Sequence, residues 1–323
     1  PVPPGFTLAT RLCNDFLKNK KLSLALKKNI KKYIKKTEGV VGASFGGKNP
    51  LLLSVRSGAP VSMPGMMETV LNVGLTSKTI PHLIARSGSE RFAYDSYRRL
   101  IMMYADVVME KSLGLNKSAT GVRTKMEFLL EEMKKKNKYK DDSSVSAKHW
   151  KELSIKYLAL IKKDFGVEFP DDPHSQLFGA IEAVFSSWNG KRAKEYRALE
   201  NIPETMGTAV NVQAMVFGNL GEDCGTGVAF TRNPSTGENK FYGEWLQNAQ
   251  GEDVVAGIRT PHPILAESGS KKSLEKTMPK AFLELGRVRR QLEKHFDEMQ
   301  DIEFTIQDNK LWMLQTRTGK RTG

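Results

Sequence analysis

The sequence predicts an α+β fold of two packing units, with a mostly helical subdomain inserted between strand-bearing segments. Three observations carry that prediction. Apolar residues recur at helical spacing from about Ile80 to Asn201, the pattern switches to period two after Pro203, and the run Leu51 to Val55 has the length of a buried strand. The chain has 323 residues, 39% of them hydrophobic, which is enough for a sizeable core; about 150 residues per domain is the usual size.

The elements follow in order. Residues 1–5 read as a loop. Between residues 10 and 36, Leu12, Phe16, Leu22, Leu26, Ile30 and Ile34 keep helical spacing among many lysines, which predicts a helix or helix pair with a basic outer face. A Gly-rich turn over 39–50 delivers the strand at 51–55, which ends at Arg56-Ser57-Gly58. Residues 60–74 read as a loop containing Met63, Met66 and Met67. Helices are predicted over 92–110, 125–133, 147–163 and 174–197. The charged tract 134–142 has no periodicity and reads as a disordered insertion. Strands are predicted over 208–217, 225–230 and 239–242, then a helix over 278–300 and a hairpin of 301–307 with 311–316.

That last hairpin carries the most chemistry. Ile302, Phe304 and Ile306 alternate with Asp301, Glu303, Thr305 and Gln307, while Trp312 and Leu314 alternate with Met313, Gln315 and Arg317. Placing both apolar sets on one face calls for a loop of Asp308-Asn309-Lys310, with Asn309 or Lys310 left-handed. Gln307 then pairs with Leu311, Glu303 with Gln315, and Asp301 with Arg317. Two carboxylates and an amide oxygen are hard ligands of the kind Mg²⁺ uses beside substrate phosphates, and a guanidinium next to them can grip a phosphate bidentately. A solvated strand face with a cross-strand ion pair fits the same pattern.

A second candidate is the segment 54–69. Arg56 ends a buried strand, Gly58 and Gly65 permit close backbone approach, and Ser57, Ser62 and Thr69 add donors. With a helix N-terminus after it, such a loop would bind an anion; a Met-lined connection packed under the helices is the alternative. The Gly-rich stretch 221–237 reads as hairpin turns able to cover phosphates, and the strand ending at 217 could offer the edge backbone of Gln213 to Val216 to a base.

Other classes are excluded or weakened. Residues 42–48 imitate a P-loop, but Asn49 replaces the Mg²⁺-binding hydroxyl and Pro50 and a strand follow where a helix is required. His82, His149, His174, His262 and His295 lie in mostly polar contexts and read as surface residues. Cys13 and Cys224 lack metal-ligand spacing and suggest a reducing compartment. No apolar run reaches the ~18 residues of a membrane helix. The net charge of +14 also admits a polyanion-binding module, but the lysines alternate with core positions and no aromatic residues interleave for base stacking.

Residues 56–69 (RSGAPVSMPGMMET), 91–100 (RFAYDSYRRL), 225–238 (GTGVAFTRNPSTGE), 248–257 (NAQGEDVVAG) and 301–317 resemble successive signatures of the pyruvate, phosphate dikinase family, in order along nearly the whole chain. The SMPGMM run separates that family from phosphoenolpyruvate synthases and glucan dikinases, whose nucleotide domains are related. The resemblance implies an ATP-grasp-type domain: residues 1–90 and 180–222 as the first lobe, 91–179 as the helical subdomain, and 223–323 as the second lobe. It implies ATP as substrate and Mg²⁺ as cofactor in a phosphotransferase. The β-phosphoryl group goes to a histidine on a separate domain, the γ-phosphate goes to inorganic phosphate, and phosphoenolpyruvate forms from pyruvate at a barrel domain. By similarity Arg56 and Arg317 are the catalytic residues that stabilise phosphate charge, and Glu303, Gln315 and Asp301 hold the metal. Gly58, Ser62, Met63, Pro64, Gly65 and Thr69 cradle phosphates, while Gln213, Met215 and Val216 receive adenine.

In that family a Gly-Lys-Gly segment with a phosphate-binding lysine precedes the sequence PVPPGFT, and the phosphohistidine and barrel domains follow. The chain is therefore expected to be part of a longer protein, dimeric through its barrel, cytoplasmic or in a plastid or glycosome-like organelle, and engaging neither nucleic acid nor membrane. The competing expectations are a polyanion-binding module, a related phosphoenolpyruvate synthase domain, and a noncatalytic docking unit.

Overall fold

A computed structural model of the chain describes residues 1–61, 63, 65–255, 259–266, 270 and 272–319. The chain is mixed α and β, with helices and two antiparallel sheets. It divides into two compact units. The first is Pro4–Met215, and the second is Val216–Gly323 together with Pro1–Pro3.

In the first unit, β1 (Gly5–Leu8), β2 (Leu53–Gly58), β3 (Thr69–Val73) and β4 (Ala209–Ala214) form one sheet in the order β1-β4-β2-β3. Neither β1 nor β3 is predicted from the sequence. β1 looks like a Pro-Gly loop because its pairing partner lies about 200 residues away; opposite Gln213, Gly5 packs so tightly that a Cβ would sit 2.3 Å from the Val212 carbonyl. In β3 the alternation is broken by Asn72, fully buried at a φ of 59° and donating to the Ser96 carbonyl.

The basic amphipathic stretch is a helix pair, α1 (Thr10–Asn19) and α2 (Leu24–Val41). Lys20 ends the first in a left-handed conformation, and the Ser23 hydroxyl caps the second by accepting from Leu26 N. The helical middle comprises α3 (Ile80–Ser87), α4 (Glu90–Tyr104), α5 (Val122–Lys136), α6 (Ala147–Phe165), α7 (Pro173–Ser187) and α8 (Lys191–Leu199). α4 runs on into a π-helical stretch, Ala105–Ser112. The helix expected over 174–197 is two, broken where Asn189 and Gly190 turn back on α7.

The tract 134–142 is ordered. Lys134, Lys135 and Lys136 form the last turn of α5, and Asp141 caps a single helical turn, Asp142–Ser144. The Asp142 carboxylate lies 2.6 Å from Arg98 Nη2 and 3.1 Å from Lys134 Nζ, and Arg98 and Arg99 also pair with the buried Asp95. Local pattern shows charge without periodicity here; the partners that order the tract stand on α4 and are invisible to it.

The second unit holds β5 (Gly225–Phe230), β6 (Tyr242–Gln247), β7 (His262–Pro263), β8 (Gln300–Gln307) and β9 (Lys310–Thr318), in the order β7-β6-β5-β8-β9, with short helices α9 (Gly251–Val255) and α10 (Leu274–Thr277). The long helix α11 (Pro279–Phe296) belongs with one face of that sheet, where Ala281 and Leu285 join Trp245, Ile302, Phe304, Ile306 and Leu311 in a buried cluster. Burying these side chains is the main stabilising term. The opposite face is left for Asp301, Glu303 and Thr305.

Candidate functional site

The β8-β9 hairpin reaches the expected pairs by a different route. Its loop has two residues, Asp308 and Asn309, at φ of 52° and 58°, so that Gln307 pairs with Lys310. Two successive left-handed residues are the signature of a type I′ turn, whose twist matches that of the strands. A two-residue loop alone would place Glu303 opposite Leu314. A bulge between Glu303 and Phe304 absorbs Leu314 as an extra residue and restores Glu303 opposite Gln315 and Asp301 opposite Arg317. One consequence corrects the apolar pattern. The β9 residues on the core face are Leu311 and Met313, while Trp312 pairs with Thr305 on the other face beneath Lys310, whose Nζ lies 4.4 Å from the ring centroid.

Arg317 Nε donates to Asp301 Oδ2 at 2.7 Å, with the carboxylate side chain largely buried and the arginine partly exposed. Directly opposed side chains in an antiparallel pair have Cβ atoms about 5 Å apart. Glu303 and Gln315 therefore present a carboxylate and an amide to one point, flanked by the Asp301-Arg317 pair. Across β5 the same face continues through Val228 to Glu244, exposed on β6.

Gly225 and Gly227 are not turn residues covering this face. They lie within β5, an interior strand, where a Cβ on Gly227 would meet Phe304 Cζ at 2.5 Å and the Glu244 carbonyl at 2.6 Å. Here glycine serves close packing.

In the first unit the sheet again has a polar face. Arg56 lies opposite Thr69 on one side and Asn211 on the other, and Gln213 lies opposite Ser54 and Gly5. Thr7 Oγ1 donates to Asn211 Oδ1 at 2.7 Å. Asn211 and Thr7 are thus residues of this face that the sequence did not single out. The available signal was the placement of Asn211 between Val210 and Val212, buried on the opposite face. Gly58 ends β2 beside Asn211, whose Nδ2 would lie 2.8 Å from a Cβ there, so a side chain at this position would displace the Asn211 amide.

After Gly58 the chain turns through Met63, which is buried, and Gly65, which is exposed at a φ of 69°; Met66 N donates to the Met63 carbonyl. Ser62 and Pro64 lie outside the described residues. Strand β3, not a helix, follows at Thr69, so no helix N-terminus adds to an anion site here. The far end of the loop is anchored: Lys111 Nζ lies 2.9 Å from Glu68 Oε1 and 3.0 Å from Asp106 Oδ2. Burial acts to lower the Lys111 pKa, but the hydrogen bonds and charges of Glu68 and Asp106 outweigh it and hold it above the ordinary lysine value.

β4 is interior, between β1 and β2, so the expectation that its edge is open to a base is corrected. Ala214 N donates to the Pro4 carbonyl and Met215 N to the Leu52 carbonyl. Met215 is the last residue of the first unit and Val216 the first of the second.

Of the histidines only His295 is exposed; the others are half-buried, and His174 and His262 are held below the ordinary value, mainly by burial. Both cysteines are buried and free, and burial pushes the Cys224 thiol up to about 11. Among the described residues no helix is long and apolar enough to cross a membrane.

Comparison with known proteins agrees along the whole chain. Residues 21–282 and 271–323 match the family described as "Pyruvate phosphate dikinase, AMP/ATP-binding domain". The chain is 52% identical over 329 residues to a pyruvate, phosphate dikinase of Rhizobium meliloti, covering 100% of this chain and 36% of the relative. It is 50% identical to the chloroplastic pyruvate, phosphate dikinase 1 of Arabidopsis thaliana and 48% identical to the pyruvate, phosphate dikinase of Clostridium symbiosum. In both the whole chain aligns, with 32% and 35% of the relative. The chain spans about a third of the length of these relatives.

Proposed function

The chain belongs to the family of pyruvate phosphate dikinase AMP/ATP-binding domains, and from that premise we propose that it binds Mg-ATP in an ATP-grasp manner and donates the β-phosphoryl group to a histidine on another domain. The observation that carries this reading is the pairing of Glu303 with Gln315 and of Asp301 with Arg317 on one polar hairpin face. Two carboxylates and an amide oxygen fit Mg²⁺, which binds few protein ligands and shares the rest of its shell with phosphates. When bound, the metal neutralises phosphate charge and aligns the oxygens for in-line displacement.

The roles of the protein groups follow from their positions. Asp301 engages Arg317 Nε at 2.7 Å and so orients the guanidinium, leaving its Nη groups to fork onto a phosphate. Glu303 and Gln315 are the principal metal ligands, and Asp301 completes the set. Arg56 supplies a second fixed positive charge, Gly58, Ser62, Met63, Pro64, Gly65 and Thr69 form the phosphate cradle, and Gln213, Met215 and Val216 meet adenine. Preorganised charges of this kind supply most of what phosphoryl transfer requires, because the transition state spreads charge over the phosphoryl oxygens.

The complete reaction converts ATP, phosphate and pyruvate into AMP, diphosphate and phosphoenolpyruvate. It takes place in a longer protein that includes a phosphohistidine domain and a dimeric barrel. The lobes comprise 1–90 with 180–222 and 223–323, and the helical subdomain comprises 91–179. Two buried free thiols suit a reducing compartment such as cytoplasm or plastid stroma.

Calorimetric titration with a nonhydrolysable ATP analogue, with and without Mg²⁺, tests this reading on the chain and on Glu303→Ala and Arg317→Ala. Each substitution is expected to weaken binding at least tenfold, and Glu303→Ala to abolish the metal dependence. Folded variants that bind as the parent does would overturn the assignment.

A further inference from the structure

We propose that the second unit carries a separate binding site for a small phosphate-bearing anion, built between α11 and the segment that follows β5, behind the sheet whose opposite face bears Asp301 and Glu303. Two cavities that share Asn239, Arg289 and Arg290 lie there. One, of about 420 Å³, is completed by Glu293 and Lys294; the other, of about 530 Å³, adds Phe241 and Phe282. Both volumes fall in the range of small-molecule sites, about 300–1,000 Å³.

The charge balance defines the ligand. Glu293 is the only carboxylate lining either cavity among the described residues, and Arg232 Nε already pairs with it. Arg289 is locked in place: Nε donates to the Thr231 carbonyl at 2.6 Å, Nη2 donates to Asn239 Oδ1, and the guanidinium lies 5.4 Å from the Phe241 ring centroid. Burial, and then the charges of Arg232 and Arg290, hold Arg289 below the ordinary arginine value in spite of Glu293. An anion would relieve that crowding. Arg290 and Lys294, one helical turn apart and exposed, make no ion pair among the described residues and stand at the rim.

A guanidinium fork matches carboxylate and phosphate alike, but several cations set against the single Glu293 favour the more highly charged phosphate, and a concave site with an aromatic wall suits a compact ligand better than an extended acidic chain. The site also touches the metal-bearing strand, since Gln300 N donates to Thr231 Oγ1 at 2.9 Å, one residue before Asp301.

The test is calorimetric titration with inorganic phosphate, diphosphate and phenyl phosphate, in chelator to suppress metal-dependent binding at the hairpin. Every protein carries Arg317→Gln, which removes the phosphate grip of the hairpin: this background alone, the background with Arg290→Gln/Lys294→Gln on α11, and the background with the charge-matched control Lys31→Gln/Lys32→Gln on α2. The proposal expects the α11 double variant to lose at least tenfold in affinity while the control keeps the value of the Arg317→Gln background. Tighter binding of phenyl phosphate than of phosphate identifies an organic phosphate as the ligand; the reverse identifies an inorganic one. Equal loss in the α11 variant and the control, or tighter binding of an oligoglutamate peptide than of any phosphate, would overturn it. Because the hairpin's phosphate grip is absent from every protein in this test, failure here leaves the ATP reading standing.

Discussion

Replacing Asp142 by Asn should destabilise the first unit by about 2–3 kcal/mol. Asp142 sits 2.6 Å from Arg98 Nη2, 3.1 Å from Lys134 Nζ and 3.9 Å from Arg99 Nη2, and the side chains of all four groups are at most 12% exposed. Removing one partner from a buried pair typically costs about 3–5 kcal/mol, because the remaining charge is left without compensation. Here each cation keeps another carboxylate, Asp95 for the two arginines and Glu131 for the lysine, which brings the expected cost to or just below the bottom of that range, about 2–3 kcal/mol. Burial acts to raise the Asp142 pKa, but Arg98, Arg99 and Lys134 outweigh it and hold the carboxyl below its ordinary 3.8. A depressed folded-state pKa means stabilisation that is present above the unfolded value and lost as pH falls through the folded one.

The assay is urea unfolding followed by tryptophan fluorescence, since Trp150 is fully buried with the Arg98 guanidinium 4.3 Å from its ring centroid. The gap between parent and Asp142→Asn should be full at pH 7 and should narrow as pH falls below 3.8. A gap under about 1 kcal/mol at pH 7, or one independent of pH, would refute the reasoning, because a buried network cannot lose a charge that cheaply.

Gly227→Ala should cost about 3 kcal/mol, because its Cβ would sit 2.5 Å from Phe304 Cζ and 2.6 Å from the Glu244 carbonyl, and overpacked cores relax poorly; a melting temperature within a degree or two of the parent would contradict the packing. Asn309→Val should lose about 1–2 kcal/mol, since a β-branched residue tolerates a φ of 58° badly, and an unchanged denaturation midpoint would argue against the type I′ turn. In the native chain Cys13 and Cys224 should resist aromatic disulfide reagents at pH 7.5, both reacting only on unfolding, because both are buried and the Cys224 thiol is pushed up to about 11. Rapid reaction of either thiol in the folded protein would show that its burial is not maintained.

Periodicity and turn chemistry determined much of this protein. The lysine-rich helix pair was legible because its apolar residues keep helical spacing whatever lies beside them, and β5 because turn residues bracket it, Gly221 before and Asn233-Pro234 after. The residues proposed for the metal were legible too, since two alternating strands joined by a short loop leave few registers that bury one apolar face. Tertiary structure decided the rest. β1 is a strand only because β4 offers it a partner, and β4 is interior for the same reason, closing the backbone edge that its own sequence leaves open. The hairpin takes a two-residue turn plus a bulge, a pair of adjustments that compensate within one sheet and cannot be distinguished from a longer loop by alternation alone. Asp142 belongs to a charged tract with no local reason to be ordered, yet it is held by Arg98, 44 positions away. Local pattern reports which face a residue prefers; partners far along the chain decide whether that preference is met, because pairing energy and burial exist only once both sides have come together.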